Sequence, residues 1–488
     1  MTESTEGLIC MPRKLPRTLL VSFLLVGAAK SYGMNLQEYL KNVEANHKTV
    51  KSLDISKEAA DDRQVAGDID LVPTMGAGVS YTSDKSPLSQ FALFGVSETK
   101  TTSYNLGFNK KFSTGTSAKI WAGTSQIENV GIQDPQLAAY EKFGFGQMGI
   151  SLSQSLWKDF FGAATRLRWE RQDAATAAEK GSYDLQKRGL LVQAESAYWE
   201  YLYAIENLKT AQGSLERARK IESWTRRRVN DGISDRADLL QGQALVAGRQ
   251  LALITAEDEL ETAKQAVRDY LEIPKTAPFP MIEGDINVSR PINTLVTGGQ
   301  GRVVQVEAYL QSLDAKARSV VAEEVDDAYR PDLVLTGDYT TNTLKKDMPE
   351  ATQNLTDTTR PTAKIALNFT YMFDTSVKSA TRNAARKEAL AARLQAERKL
   401  IDSDSSWSEL NRQYQEMTKR VEAASQLQKL QTDRARATNE LFNKGRTITM
   451  NVVDAENDAA TAELNLSRLK SLQRKMEAQG RLYMTVEE

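Results

Sequence analysis

The sequence predicts a rod built from two tandem copies of one mixed unit, with β-strands at one end and antiparallel helical hairpins at the other. Three observations predict it. Two matching glycine turns interrupt long helical runs: VNDGISDRADLLQGQ begins at Val229 and FNKGRTITMNVVDAEND at Phe442. Tens of residues of charged, Ala- and Leu-rich chain flank each turn. Ahead of each helical section, helical periodicity gives way to alternating stretches. In each turn the glycine, Gly232 or Gly445, takes the left-handed position that ends a helix. The next polar residues restart one: Ser234 or Asp235 in the first copy, Thr447 or Thr449 in the second. Asp238 follows Gly232 by six positions, and Asn451 follows Gly445 by six.

Composition narrows the function. The 488 residues carry a net charge of −1 with 26% charged and 7% aromatic side chains, which suits long solvated helices. The absence of a basic block argues against nucleic acid as the main partner. No mid-chain run reaches the roughly 18 apolar residues of a membrane-spanning helix, so any membrane crossing must use strands. Residues 1–33 read as a signal peptide: Arg13, Lys14 and Arg17 precede an apolar run from Leu19 to Ala29 and small residues to Gly33. Glu3 and Glu6 do not suit such a leader, so the expected start is Met11. The only cysteine, Cys10, precedes the apolar run, so it is not placed for lipidation and the mature chain would have no thiol.

The first repeat is expected to span 34–272. It opens with a helix over Asn35–Asp68. Strands follow within about 72–156: Thr74–Ser83, a hairpin of Ser103–Phe112 and Thr116–Ser125, and Phe145–Leu156. Long helices occupy about 163–271. Residues 273–301 are rich in Pro and Gly and read as a linker. The second repeat, 302–488, has a helix over Val306–Tyr329, strands Asp332–Tyr339 and Lys364–Phe373 within about 332–373, and long helices over about 375–484. In the last strand Ile365, Leu367, Phe369, Tyr371 and Phe373 share one face, while Ala366, Asn368, Thr370 and Met372 share the other. That pattern suits a strand between lipid and a wet lumen. A soluble sandwich would show it equally in one strand, so context decides. Pro73, Pro331 and Pro361 stand just ahead of strands.

The long helices carry coiled-coil stripes, one through Leu191, Ala194, Tyr198, Tyr201, Ile205 and Leu208, the other through Trp407, Leu410, Tyr414, Met417, Val421 and Ala424. About 70 residues would reach roughly 100 Å at about 1.5 Å per residue. The returning helices are shorter, so the short helices at Asn35 and Val306 should stack end to end with them. Glycines 181, 189, 213, 242 and 248 mark bends or close packing. Such helices expose apolar surface in a monomer, which implies oligomerisation.

No enzyme site emerges. The single histidine, His47, sits in an amphipathic helix and reads as a packing or surface residue. No cluster has metal spacing, and no Gly-rich phosphate loop follows a strand, since Gly298, Gly299 and Gly301 lie in the linker. No cofactor is expected.

The chain from Asn35 to about Met484 resembles the TolC-like outer-membrane efflux proteins. The specific pieces are Gly445 followed by Asn451-Val-Val-Asp454-Ala455, and Leu152-Ser-Gln154-Ser-Leu156 leading into Phe160-Phe161-Gly162. The resemblance implies a homotrimer: an outer-membrane β-barrel continued by a long periplasmic α-helical barrel. Each protomer of the family gives four strands to a shared twelve-stranded barrel. Here the additional hairpin at 103–125 is read as an extracellular extension, with an eighteen-stranded barrel as the alternative. The implied function is an exit duct carrying small molecules or proteins from an inner-membrane pump to the exterior, as in drug efflux, metal efflux or type I secretion. A periplasmic adaptor would dock on the turns at Gly232 and Gly445. The tip would be the gate: Asn451 and Asp454 occupy the family's two acidic-ring positions, Asp238 its acidic network partner, Phe442 its tyrosine, and Thr447 its arginine, with Arg446 one residue early. Asp454 also reads as an acid favoured by a helix N-terminus. The competing class is a periplasmic coiled-coil adaptor or structural rod that never enters lipid.

Overall fold

A computed structural model describes residues 33–86, 95–132, 135–298 and 301–486. The signal-peptide reading, with Cys10 and Met11, lies outside the described residues except for Gly33, and so does Gly299. No described helix is long and apolar enough to cross a membrane.

The chain enters through α1 (Leu36–Asn46), whose start is a capping box: Asn35 Oδ1 accepts from the Glu38 amide at 3.0 Å, and Glu38 Oε2 from the Asn35 amide at 3.2 Å. The single helix expected over 35–68 is broken. His47 at ψ 124° ends α1 and starts α2 (Lys48–Ala66), its Nδ1 accepting from the Thr49 amide at 3.2 Å. His47 also stacks on Tyr270, with ring centroids 6.2 Å apart. Its role is that of a cap.

Four strands follow: β1 (Thr74–Asp84), β2 (Glu98–Lys111), β3 (Thr116–Val130) and β4 (Lys142–Ser155). Then come the two long antiparallel helices α3 (Ala163–Asn230) and α4 (Arg236–Leu271). The second half runs β5 (Arg302–Gln305), α5 (Val306–Ala328), β6 (Asp332–Lys345), α6 (Met348–Gln353), β7 (Thr362–Thr370), α7 (Thr375–Asn443), α8 (Thr449–Ala478) and β8 (Tyr483–Val486). Strand β7 stops at Thr370. Tyr371 and Phe373, expected at its end, lie in the irregular link to Asp374, which caps α7 by accepting from the Ser376 and Val377 amides. Pro73, Pro331 and Pro361 each precede a strand directly, where no ladder donor is needed.

One antiparallel sheet holds six strands in the order β1-β2-β3-β4-β6-β7. This corrects the expected placement of the extra hairpin. Strands β2 and β3 are not an appendage beyond the sheet. They pair with β1 and β4 along their whole lengths, Thr74↔Asn109 through Asp84↔Thr99 and Thr116↔Gln154 through Glu128↔Lys142. Their connecting turn lies at the helical end. Gln154 Nε2 donates to the Thr114 carbonyl at 3.1 Å, and a Cβ on Gly162 would lie 1.7 Å from the Ser113 carbonyl oxygen. Of the two readings of these strands, an extension beyond the sheet or added strands within it, the register supports the second.

The elbow from β4 into α3 is tight. Asp159, Phe161 and Gly162 all have left-handed backbone, φ 53°, 44° and 82°. Two non-glycine residues there cost about 1–2 kcal/mol each. Hydrogen bonds offset part of this, because Asp159 Oδ1 accepts from the Ala164 amide at 2.9 Å and the Asp159 amide donates to Asp327 Oδ2 at 3.0 Å.

The helical part forms four columns. Helix α3 packs against α4 and α2 on one side and against α8 and α5 on the other, and α7 packs on α8 and α5. The returning columns are composite. Helix α4 abuts α2, where Glu272 Oε1 accepts from the Lys48 amide at 3.1 Å. Helix α8 reaches α5 through the β5–β8 pair. Gly181 marks close packing, since a Cβ there would meet Leu310 Cδ2 at 2.1 Å.

The largest core lies at this middle level. Tyr39, Val43, Ala194, Tyr198, Trp199, Val267, Ile282 and Ile286 pack together, so segment 273–301 supplies core residues although, among its described residues, the one helical piece is a short 3-10 turn at Ile292–Thr294. A buried ion cluster pins the segment. Fully buried Glu477 accepts from Ser289 Oγ at 2.7 Å, Tyr414 OH at 3.2 Å, the Arg290 amide at 3.1 Å and the Arg474 guanidinium. Fully buried Glu195 accepts from Arg481 Nε at 2.9 Å and from the Arg290 guanidinium. Two carboxylates facing three guanidinium groups tie α3, α8 and the segment between repeats.

Candidate functional site at the helical tip

Both tips are the same backbone device. Gly232 and Gly445 have φ +72° and +70°. The Ile233 amide donates to the Arg228 carbonyl at 2.8 Å, and the Arg446 amide to the Leu441 carbonyl at 2.9 Å, the long bond of a Schellman ending. The duplication extends to side chains. Ser234 Oγ donates to Asp238 Oδ2 at 2.8 Å, and Asn451 Nδ2 donates to Thr447 Oγ1 at 2.9 Å. Thus Asp238 and Asn451 each lock their own turn. The restarts differ from expectation in the second copy: Asp235 is the N-cap of α4, but Ile448 is that of α8, and neither offers a side-chain cap. Thr447 is occupied by Asn451, and Thr449 is already inside the helix and buried.

Phe442 packs where the two hairpins meet. It is 1% exposed, 5.9 Å from the Trp224 ring and under the Arg228 guanidinium at 5.3 Å. Ile221, Leu245, Val452 and Val453 complete that cluster. Within the protomer, Asp238, Arg446 and Phe442 do not come together in one hydrogen-bonded group. Arg446 is exposed at its turn.

Helix α8 carries two unlike faces. Val452, Val453, Ala455, Glu456, Ala459 and Ala460 are buried. Asn451, Asp454 and Asp458 fall at i, i+3 and i+7 on the exposed face. Asp458 pairs with Arg434 at 2.7 Å. Asp454 has no partner among the described residues. It is the sixth residue of α8, beyond the first turn where a helix dipole acts, so the N-terminal-acid reading weakens.

The residue that sequence reading missed is Glu456. Its carboxylate accepts from Arg217 Nε at 2.7 Å and from Asn439 Nδ2 at 2.6 Å, joining α8 to α3 and α7 just above the turns. The signal was present: an acid placed in the apolar register of Val452, Val453 and Ala459. Arg249 donates to Asn457 Oδ1 across α4 and α8, with burial and the nearby Arg217 charge holding its pKa down. Beside this network a cavity of about 400 Å³ between α3 and α7 is lined by Arg217, Lys220, Trp224, Arg227, Asn439 and Asn443. Among the described residues no group of His, Cys, Asp and Glu side chains could hold a metal.

The family profile described as outer membrane efflux protein matches residues 129–271. No curated protein sequence matches the chain. Among solved structures, CusC, studied for folding and transmembrane channel formation, shares 12% identity and a TM-score of 0.64 over 95% of each chain. VceC, an outer membrane protein of Vibrio cholerae, gives 14% identity and 0.64 over 92% of this chain and 95% of its own. The MtrE outer membrane channel of Neisseria gonorrhoeae gives 16% and 0.61 over 92% and 88%. The resemblance to TolC-like outer-membrane efflux proteins therefore stands, and members of the matched family are channels, not enzymes. The shared architecture is a sheet domain continued by long helical hairpins.

Proposed function

We propose that the chain is one protomer of a trimeric outer-membrane exit duct, gated at its periplasmic helical tip and served by an inner-membrane pump through a periplasmic adaptor. The observation that carries this reading is the sheet. Following the register from strand to strand, Met75, Val79, Leu106, Phe108, Ile120, Ile150, Leu152, Leu335, Ile365, Leu367 and Phe369 share one face, and all are exposed. The other face carries Ser80, Asn105, Lys119, Gln147, Asp338 and Lys364. Apolar out and polar in is the alternation of a strand between lipid and water. At the helical end Phe112, Trp157, Phe160, Phe161 and Phe373 are exposed together, as an interfacial aromatic girdle would be.

Oligomerisation is supported by what the single chain leaves uncovered. Strands β1 and β7 are open edges, and Leu240, Leu251 and Ile254 on α4 and Leu427 and Leu430 on α7 are exposed. An open edge does not persist in lipid, where unpaired backbone groups have no partner. The number three, the adaptor and the pump come from the resemblance. Asp454, without a partner among the described residues, is the acid best placed to meet its symmetry mates, with Asn451 one turn nearer the opening. Two helical hairpins and a six-stranded apolar-faced sheet disfavour a soluble adaptor or rod.

Conductance of the detergent-purified protein in a planar bilayer tests the reading. Discrete, cation-selective steps are expected, and Asp454→Ala should lower the cation preference and the block by multivalent cations. Recovery of the protein in the soluble periplasm would overturn the duct; unchanged selectivity and block would remove Asp454 from the lumen.

A further inference from the structure

We infer that three copies close a single eighteen-stranded barrel, β7 of one protomer against β1 of the next, with the β2–β3 hairpin spanning the membrane. The inference rests on the duct reading and departs from the twelve strands that the resemblance implied. Each protomer contributes the six strands of its sheet. Three observations place β2 and β3 in lipid rather than in a loop. Their register is unbroken on both sides, fourteen pairs long between themselves. Their apolar residues continue the lipid-facing band: Leu106 is paired with Ala77 and Ala122, and Ile120 with Phe108 and Ile150. Their turn carries Phe112 into the same end of the sheet as Phe160 and Phe161, and tucks against Gly162. A hairpin outside the bilayer would have no reason to repeat the band or to turn at the helical end.

A second copy is the occupant of each open edge. Strand β1 offers an unpaired side over Thr74–Asp84 and β7 over Thr362–Thr370, and both carry the apolar band, Met75 and Val79 on one and Ile365 and Leu367 on the other. Six strands are too few to close alone, because single-chain barrels begin at about eight. Pairing with a copy satisfies the ladder and continues the band.

The width follows from strand number. With strands about 4.8 Å apart and tilted about 40°, eighteen give a backbone diameter of roughly 36 Å and twelve roughly 24 Å. After about 10 Å for side chains, the lumen would be roughly 26 Å rather than 14 Å wide, about threefold larger in section, and of porin type.

Single cysteines in a Cys10→Ser background test this in the assembled, membrane-inserted protein. Leu106→Cys and Ile120→Cys should react with a water-soluble maleimide at least about tenfold more slowly than their neighbours Asn105→Cys and Lys119→Cys, because the apolar face meets hydrocarbon without water. Ile365→Cys and Lys364→Cys on β7 are the controls. Rapid labelling of Leu106→Cys and Ile120→Cys with Ile365→Cys protected would overturn the eighteen-stranded barrel and leave the duct. Rapid labelling of Ile365→Cys too would overturn the duct itself. Electron cryomicroscopy of the purified trimer should count eighteen strands; twelve, with the hairpin outside the wall, would refute the inference.

Discussion

Glu477→Ala should release the segment between the repeats without unfolding the rod. The carboxylate is fully buried and takes four hydrogen bonds, from Ser289, Tyr414, Arg474 and the Arg290 amide. Arg474 is itself 3% exposed, so truncation strands a buried guanidinium. Removing one partner of such a pair costs about 3–5 kcal/mol. At about 1.4 kcal/mol per decade, local opening should rise between roughly 100-fold and 4,000-fold. The Arg290 amide reports this directly, since its hydrogen is held by Glu477 Oε2 at 3.1 Å. Hydrogen exchange followed by mass spectrometry on peptides covering 285–295 should therefore speed up by that factor, while peptides at the tips stay unchanged. Glu477→Gln, which keeps an acceptor, should be milder, and Glu477→Ala with Arg474→Met should recover much of the loss by removing the stranded charge. Unchanged exchange, or a double variant worse than the single, would refute the assignment of the cluster as the clamp between repeats.

At the tips, Gly445→Ala should cost about 1–2 kcal/mol by backbone strain alone, since φ is +70° and no atom lies near its added Cβ. Gly445→Asn should cost less, and tip amide exchange measures both. Gly162→Ala should fail to give the folded chain, and with it the proposed trimer, because its Cβ would lie 1.7 Å from the Ser113 carbonyl; electrophoresis of unheated samples reads this. Burial, with Glu195 adding to it and Arg290 opposing it, pushes the Tyr198 hydroxyl up to about 12. A pKa raised on folding stabilises below the unfolded value near 10 and loses that contribution as pH rises to about 12, a change of about 2–3 kcal/mol. The Tyr198 hydroxyl donates to the Glu283 carbonyl at 2.9 Å, so the stability read from denaturant unfolding should fall over that window, and Tyr198→Phe should remove this part of the fall. Asp454→Ala, set against Asp458→Ala, should separate the unpaired acid from the one already neutralised by Arg434.

Periodicity and glycine punctuation made the long helices and both turns legible, because those signals are local. Register was not. The sequence shows that Ser103–Phe112 and Thr116–Ser125 form a hairpin, but only cross-strand pairing shows which neighbours flank it and at which end it turns. The break at His47 was hidden because histidine is not a usual N-cap, although its Nδ1 bond to the Thr49 amide is local, and because the Tyr270 stack depends on where α4 ends. At the tip, Phe442 stands where the family has a tyrosine but brings no hydroxyl, and the packing that takes its place comes from Trp224 and Arg228 of the other hairpin, more than 200 residues away in the chain. Glu456 was overlooked for the converse reason. A charge in an apolar register looks like a lapse in the pattern until Arg217 and Asn439 are seen to face it.

The composite columns have a mechanical consequence. Helices α3 and α7 run unbroken, while the columns beside them are jointed, one at the α4–α2 junction and the other at the β5–β8 pair. Both joints flank the stretch of α3 around Arg188 to Tyr198. Continuous and jointed members alternate, and both joints lie at the level where the largest core and the buried ion cluster hold the columns together. In the gated duct proposed above, α3 and α7 would be the two continuous spines of each protomer, and any outward lean of the hairpins would have to strain these joints. The ion cluster at Glu195 and Glu477 bridges those joints, so in such a gate it would be the brace that opening works against.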